Sequence, residues 1–276
     1  MYEFTPTLCN IFHFRSKKFP QLGVIIWKSR KRILSLYPQK NENMVYLLDS
    51  TIGFPDPKDG EPDGLFAVGG DLSTERLLLA YSWGIFPWYA FRAEDTCQEL
   101  IDPATGKPYI QWWCPMQRFV IFPDEIHISH SMRQELNKVK RGELRVTVNA
   151  DFEQVIDQCG TLREEGLGAW LGPEMKEAYT RLYDQGFASS VEVWKDDSLV
   201  GGLYGVTLGS GFFGESMFSL IPSASKIALI MLARLMKQLG NSLIDCQFET
   251  PHLKTMGGRY IDYDEYLKLI RQKSGE

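Results

Sequence analysis

The chain is poor in the residues that organise metals and disulfides. It has five cysteines and four histidines in 276 residues. Cys9, Cys97, Cys114, Cys159 and Cys246 are scattered, odd in number and without a Cys-x-x-Cys pair. That pattern argues against a disulfide frame or zinc ribbon and fits free thiols in a reducing cytoplasm. His127 and His130 stand three apart with no third ligand beside them, so no metal is expected. Long apolar runs are also missing. Nothing approaches the roughly 18 residues of a membrane span, and Leu22–Trp27 falls far short, so no membrane partner is expected. Positive charge is scarce over most of the length. Residues 1–45 hold eight Lys/Arg and two acidic residues; subtracted from totals of 30 and 35, they leave 22 basic and 33 acidic groups, a net of −11. A body that acidic is no general nucleic-acid binder, because such affinity comes mainly from neutralising phosphates. Any nucleic-acid contact must be local. Arg133, Lys138, Lys140, Arg141 and Arg145 form the best local patch, and they read equally well as a solvated helix face.

What is present is a large apolar inventory, 44% hydrophobic and 13% aromatic, enough for one large or two modest domains. Residues 1–43 lack periodicity. They read as a basic arm, a presequence or untranslated sequence ahead of a start at Met44; the last is favoured, because Met44–Leu48 opens the well-patterned chain. Residues 44–125 read as a small N-terminal unit. Ser73 suits an N-cap, with Leu77, Leu78 and Tyr81 at helical spacing behind it and Gly84 at the helix end. Residues 91–109 read as a loop, and Gln111–Pro115 and Phe119–Phe122 as strands. From residue 126 the pattern predicts helices over Ser131–Val139, Asp151–Cys159 and Pro173 to about Gly186. Three strands then follow (Ser190–Trp194, Leu199–Thr207, Gly211–Met217), with a two-residue turn at Gly209–Ser210. A helix over Ser225–Leu239 and a strand over Asn241–Phe248 complete the order. The fold class is α+β, a small N-terminal unit followed by a mixed sheet flanked by helices. A three-strand meander, a helix and another strand is the core order of a GCN5-related N-acetyltransferase-like domain.

Two stretches carry chemistry. Phe213–Ser219 and Leu243–Gln247 are apolar enough for buried strands, yet they hold Glu215, Asp245 and Gln247. Side chains alternate along a strand, which puts Asp245 and Gln247 on one face roughly 7 Å apart. A buried carboxylate needs a partner or a substrate to offset its desolvation.

The chain resembles the leucyl/phenylalanyl-tRNA–protein transferase family over about Phe54 to Ile270. The residues that carry the resemblance are Phe54-Pro55, Gly64–Leu72, Gly84–Trp88, Trp112–Pro115, Ala178-Tyr179, Gly201–Gly205, Gly214–Ser219, Ala224–Lys226 and Leu243–Gln247, in that order and spacing. The resemblance implies transfer of leucine or phenylalanine, and with lower standing methionine, from aminoacyl-tRNA to the N-terminal Arg or Lys of an acceptor protein, marking it for degradation. It implies no cofactor. Asp245 and Gln247 become the catalytic pair, with Gln247 holding the amine and Asp245 orienting it and taking up developing charge. Glu215 either pairs with the basic acceptor residue or braces the aminoacyl pocket. Leu203, Phe212, Ile244 and Ser219 line that pocket. Trp88 and Trp170 stack on the tRNA 3′ adenosine, while Trp112 and Trp113 read as packing. The chain departs from the family pattern at Leu203 (usually Met), at Ala169 in Gly168–Leu171, and at Leu220, where Arg is common. The rivals are an acetyl-CoA-dependent N-acetyltransferase, a peptidoglycan-type aminoacyl transferase and a non-catalytic tRNA-end-binding protein. The first wants a glycine-rich pyrophosphate loop, and Ile221–Lys226 holds no glycine.

Overall fold

The computed structural model describes residues 32–33, 45–61, 63–88, 100–164 and 171–272. The expected start at Met44, most of the basic segment, Ala169 and Trp170 lie outside the described residues. Two sheets organise the rest. The smaller has five strands, β1 (Arg32–Ile33), β2 (Val45–Leu48), β3 (Leu65–Gly69), β4 (Phe86–Pro87) and β5 (Gln111–Trp113), in the order β1-β2-β3-β5-β4. Every residue of β3 is buried, consistent with its central place. Helix α1 (Thr74–Ser82) follows, and the Ser73 hydroxyl accepts from the Arg76 N–H as the expected N-cap. Gly84 then turns the chain at φ +68°, where a Cβ would lie 2.4 Å from the Tyr266 ring, so only glycine fits.

The larger sheet has seven strands: β6 (Gln117–Ile121), β7 (Arg145–Val148), β8 (Ala188–Lys195), β9 (Ser198–Leu208), β10 (Gly211–Ser219), β11 (Leu243–Asp245) and β12 (Arg259–Asp262). Their order is β12-β6-β11-β10-β9-β8-β7, antiparallel apart from β10 and β11. The predicted meander is β8-β9-β10, with Gly209 at φ +60° in its second turn. The helices are α2 (His130–Lys140), α3 (Phe152–Glu164), α4 (Pro173–Asp184), α5 (Ala224–Gln238), α6 (Pro251–Thr255) and α7 (Tyr263–Arg271). Two cores lie on opposite faces of this sheet. One joins Tyr204, Phe213 and Phe218 to residues of α1, α3, α4 and α7, and the other joins Leu203, Phe212 and Ile244 to the apolar stripe of α5. Among the described residues, no helix is long and apolar enough to cross a membrane.

Three expectations change. The strand near Phe119, read as part of the N-terminal unit, joins the larger sheet between β11 and β12. The strand expected over Asn241–Phe248 covers only Leu243–Asp245, because Gln247 adopts φ +57° and leaves the ladder. Past Phe248 the chain forms α6, β12 and α7, none of them expected; Tyr263, Tyr266, Leu267 and Ile270, all buried, had the helical spacing that marks α7.

Candidate active site

The site forms where a parallel ladder stops. Gly211, Phe212 and Phe213 of β10 pair with Leu243, Ile244 and Asp245 of β11, and no pairing follows. Residues at and just past that point on the two strands, Gly214–Met217 and Asp245–Gln247, line one cavity of about 280 Å³. Its apolar wall includes Leu203, Phe212 and Ile244 from the sheet and Leu229 and Leu232 from α5. Thr250, His252 and Leu253, from the start of α6, line it as well.

A bulge aims the first functional side chain. Gly214 pairs with Gly205 and Ser216 with Tyr204, which leaves Glu215 as the extra residue of β10. Because of that extra residue, Phe213 and Phe218 share one core and Phe212 and Met217 the other, although five positions separate each pair. Tyr81 and Tyr179 each donate a hydroxyl to Glu215 at 2.7 Å, one to each oxygen, and the two hydroxyls lie 2.8 Å apart. The Gln247 amide reaches Glu215 Oε1 at 3.4 Å. Burial pushes the Glu215 carboxyl up to about 7, against the pull of the Tyr179 and Tyr81 hydroxyls. Burial, with Glu215 beside them, likewise raises both phenols well above their ordinary value, so both stay protonated donors.

Asp245 ends β11 and is 1% exposed. Its Oδ1 accepts from the Gln247 backbone N–H at 2.9 Å. Its Oδ2 accepts from the Tyr266 hydroxyl at 2.6 Å and stands 3.1 Å from Arg118 Nε. Burial lowers the Arg118 guanidinium, but the charge of Asp245 together with Tyr266 and Cys114 outweighs it and the net shift is upward. Asp245 and Gln247 are therefore adjacent for a reason other than strand alternation: Gln247 sits in the left-handed region and the Phe248 N–H bonds the Cys246 carbonyl across it, a γ-turn of the rarer, strained kind. The Cys246 thiol, raised far above its ordinary value by burial and by Asp245, is no ready nucleophile.

The other expected residues divide. Leu203, Phe212 and Ile244 line the cavity. Ser219 does not; its hydroxyl accepts from the Ser225 N–H at 2.8 Å and donates to the Ser225 hydroxyl, capping α5 from the end of β10. Ser223, in the N-cap position at φ +69°, makes no side-chain cap of its own. Trp88 is 41% exposed and leans on Trp113 (ring centroids 5.8 Å apart) and on Phe248 (5.7 Å), the residue that follows Gln247 in the sequence. Trp112 is fully buried, as expected of packing. Sequence reasoning missed Tyr81, Tyr179, Arg118 and Tyr266 as site residues. Tyr81 carried only the signal of helical spacing, Tyr179 only its place among the residues of the resemblance, and nothing local marked Arg118. Among the described residues, no group of three His, Cys, Asp or Glu side chains gathers to hold a metal.

Comparison with known proteins meets this geometry. The profile of the leucyl/phenylalanyl-tRNA protein transferase family matches residues 120–271, and that of the family's N-terminal domain matches residues 70–96. Curated proteins named leucyl/phenylalanyl-tRNA–protein transferase align at high identity. The one from Syntrophus aciditrophicus is 49% identical over 82% of this chain and 87% of its own length. The one from Nitrosomonas eutropha is 45% identical over 82% and 90%, and the one from Flavobacterium psychrophilum 44% identical over 83% and 100%. Since both regions of the chain match in order, and the relatives are spanned nearly whole, the chain belongs to the leucyl/phenylalanyl-tRNA–protein transferase family.

Proposed function

We propose that this protein is a cytoplasmic aminoacyltransferase that moves leucine or phenylalanine from aminoacyl-tRNA to the N-terminal Arg or Lys of acceptor proteins. One observation carries the reading: a carboxylate and an amide, 3.4 Å apart, stand at a cavity whose remaining wall is largely apolar. The apolar wall suits an unbranched-Cβ side chain such as Leu or Phe. The carboxylate suits the cationic side chain that begins the acceptor. The exposed face of Trp88 suits a base at the end of a single strand, where aromatic stacking contributes about 1–3 kcal/mol per base. That mode of binding suits a net acidic body.

The chemistry asks little of the protein beyond alignment. An α-amine has a pKa near 8, so a useful neutral fraction exists at neutral pH. Its nitrogen attacks the ester carbonyl carbon, a C–N bond forms, the C–O bond to the 3′-terminal ribose breaks, and one amine proton ends on the departing ribose oxygen. Gln247 is scarcely basic; its side-chain oxygen holds the amine by accepting an N–H, while its NH₂ keeps contact with Glu215. Asp245 fixes Gln247 through the backbone and adds negative potential near the ammonium that develops on attack. Binding both substrates in one place supplies most of the rate.

Transfer of labelled leucine or phenylalanine from charged tRNA to an Arg-initiated peptide tests the reading. Transfer is expected with Arg or Lys first and not with Glu first. Purified protein that leaves every peptide unlabelled, or that shifts its melting temperature with acetyl-CoA, overturns it.

A further inference from the structure

The ion pair beneath the cavity has no evident use in packing. Arg118 on β6 and Asp245 on β11 are each 1% exposed at the side chain. Such a pair adds little stability over apolar residues of the same volume, because desolvation offsets the Coulomb gain. The guanidinium is nonetheless held on several sides. Its Nη2 donates to the Gly84 carbonyl, and its carbon lies over the rings of Phe86 at 4.9 Å and Tyr266 at 4.8 Å. That surrounding holds Nε 3.1 Å from one oxygen of Asp245, the one that also accepts from Tyr266, as an ion-pair contact without a hydrogen bond. The other oxygen is left for the Gln247 backbone N–H.

That second contact matters because Gln247 is one of four non-glycine residues with positive φ among the described residues. A non-glycine residue in the left-handed region is strained and persists only where its surroundings over-determine it. Here the anchors are Asp245 Oδ1 on its N–H and the Phe119 N–H, 3.4 Å from its carbonyl. The γ-turn they stabilise carries the Gln247 amide to Glu215.

We infer that Arg118 and Tyr266 are positioning residues for transfer: by occupying one oxygen of Asp245 they hold the other on the Gln247 N–H, and so keep the Gln247 side chain in the cavity. The inference rests on the proposed transfer reaction. It assigns Asp245 the part of an anchor that acts through the Gln247 backbone. The charged and titratable groups around Asp245 are Arg118 on β6, Cys114 just before it, Tyr266 on α7, Glu215 on β10 and its neighbour Cys246.

Tyr266→Phe tests this with the full-length protein, since it removes one hydroxyl and keeps the ring beside Gly84 and Arg118. Losing the hydroxyl leaves Asp245 Oδ2 short of a donor and loosens the hold of Oδ1 on the strained Gln247 turn, so kcat, read at saturating acceptor, should fall about tenfold. KM for charged tRNA should stay within about twofold, because the cavity wall is untouched. A merely structural role would lower the melting temperature and leave kcat unchanged at temperatures where the variant stays folded; wild-type kcat in Tyr266→Phe overturns the inference. Should that variant not fold, Arg118→Lys takes its place. It keeps the charge but loses the planar fork, so kcat should fall with KM for charged tRNA little changed, and unchanged kcat overturns the inference there. Failure of the wild-type protein to transfer at all is a different result, and counts against the proposed function instead.

Discussion

The two sides of the gap between β10 and β11 each hold a carboxylate, and the two are treated in opposite ways. On the β11 side Asp245 faces a buried guanidinium and a phenol. On the β10 side Glu215 receives only neutral donors, two phenols and an amide. The same functional group thus acquires two characters from its partners. A carboxylate matched to a fixed cation is neutralised within the protein and has no call for another. One held by neutral donors keeps its charge uncompensated, titrates up to about 7 and has capacity for a cation that arrives with a substrate. The difference separates a scaffold group from a recognition group before any substrate is present.

The largest effect should come from breaking the matched side. Arg118→Met leaves Asp245 buried beside no cation, and removing one partner of a buried pair costs about 3–5 kcal/mol. Urea denaturation should show that loss, and adding Asp245→Asn should recover most of it, because no charge then remains to be satisfied. An Arg118→Met protein as stable as wild type breaks the comparison.

Glu215→Gln probes the unmatched side and should behave differently. KM for an Arg-initiated peptide should rise about thirtyfold or more, the scale of a lost, largely desolvated charge pair. KM for charged tRNA should rise far less. Equal rises would mean that Glu215 braces the aminoacyl pocket instead. Acidity should mimic the substitution, since the Glu215 carboxyl takes up its proton below about 7 and acceptor KM should climb there. Stability runs the other way. The folded value lies above the ordinary 4.5, so between 4.5 and about 7 the native protein keeps a proton that the unfolded chain releases, and stability falls as pH rises through that window. Glu215→Gln should flatten that slope in thermal melts taken across it.

The same contrast marks how far the sequence could be read. The meander, α5 and the apolar wall were legible because alternation and helical spacing are local. Glu215, Asp245 and Gln247 were legible as polar residues in apolar strands, with the family resemblance to assign them roles. Their partners were not. Arg118 lies 127 positions before Asp245 in the chain, and only the pairing of Asp245 with Val120, two residues along β6, brings it near. The bulge at Glu215 leaves no mark in the composition of β10, and the left-handed turn at Gln247 looks in sequence like two more strand residues. Both features depend on what sits across the ladder, which a local pattern does not contain.

Ser219 defines where the β10 side stops being a site. The resemblance places it in the aminoacyl pocket, yet its hydroxyl is spent on the first turn of α5. Ser219→Ala should therefore act as a lost N-cap does, at about 1 kcal/mol, which for a protein this size lowers the melting temperature by about 2–4 °C. The ratio of leucine to phenylalanine transfer should not move, because Leu203, Phe212 and Ile244 still form the wall. A changed ratio at unchanged stability would mean that Ser219 turns toward the aminoacyl side chain in the working enzyme. The recognition side of the gap would then extend one strand residue past Phe218, to the very start of the turn that leads into α5.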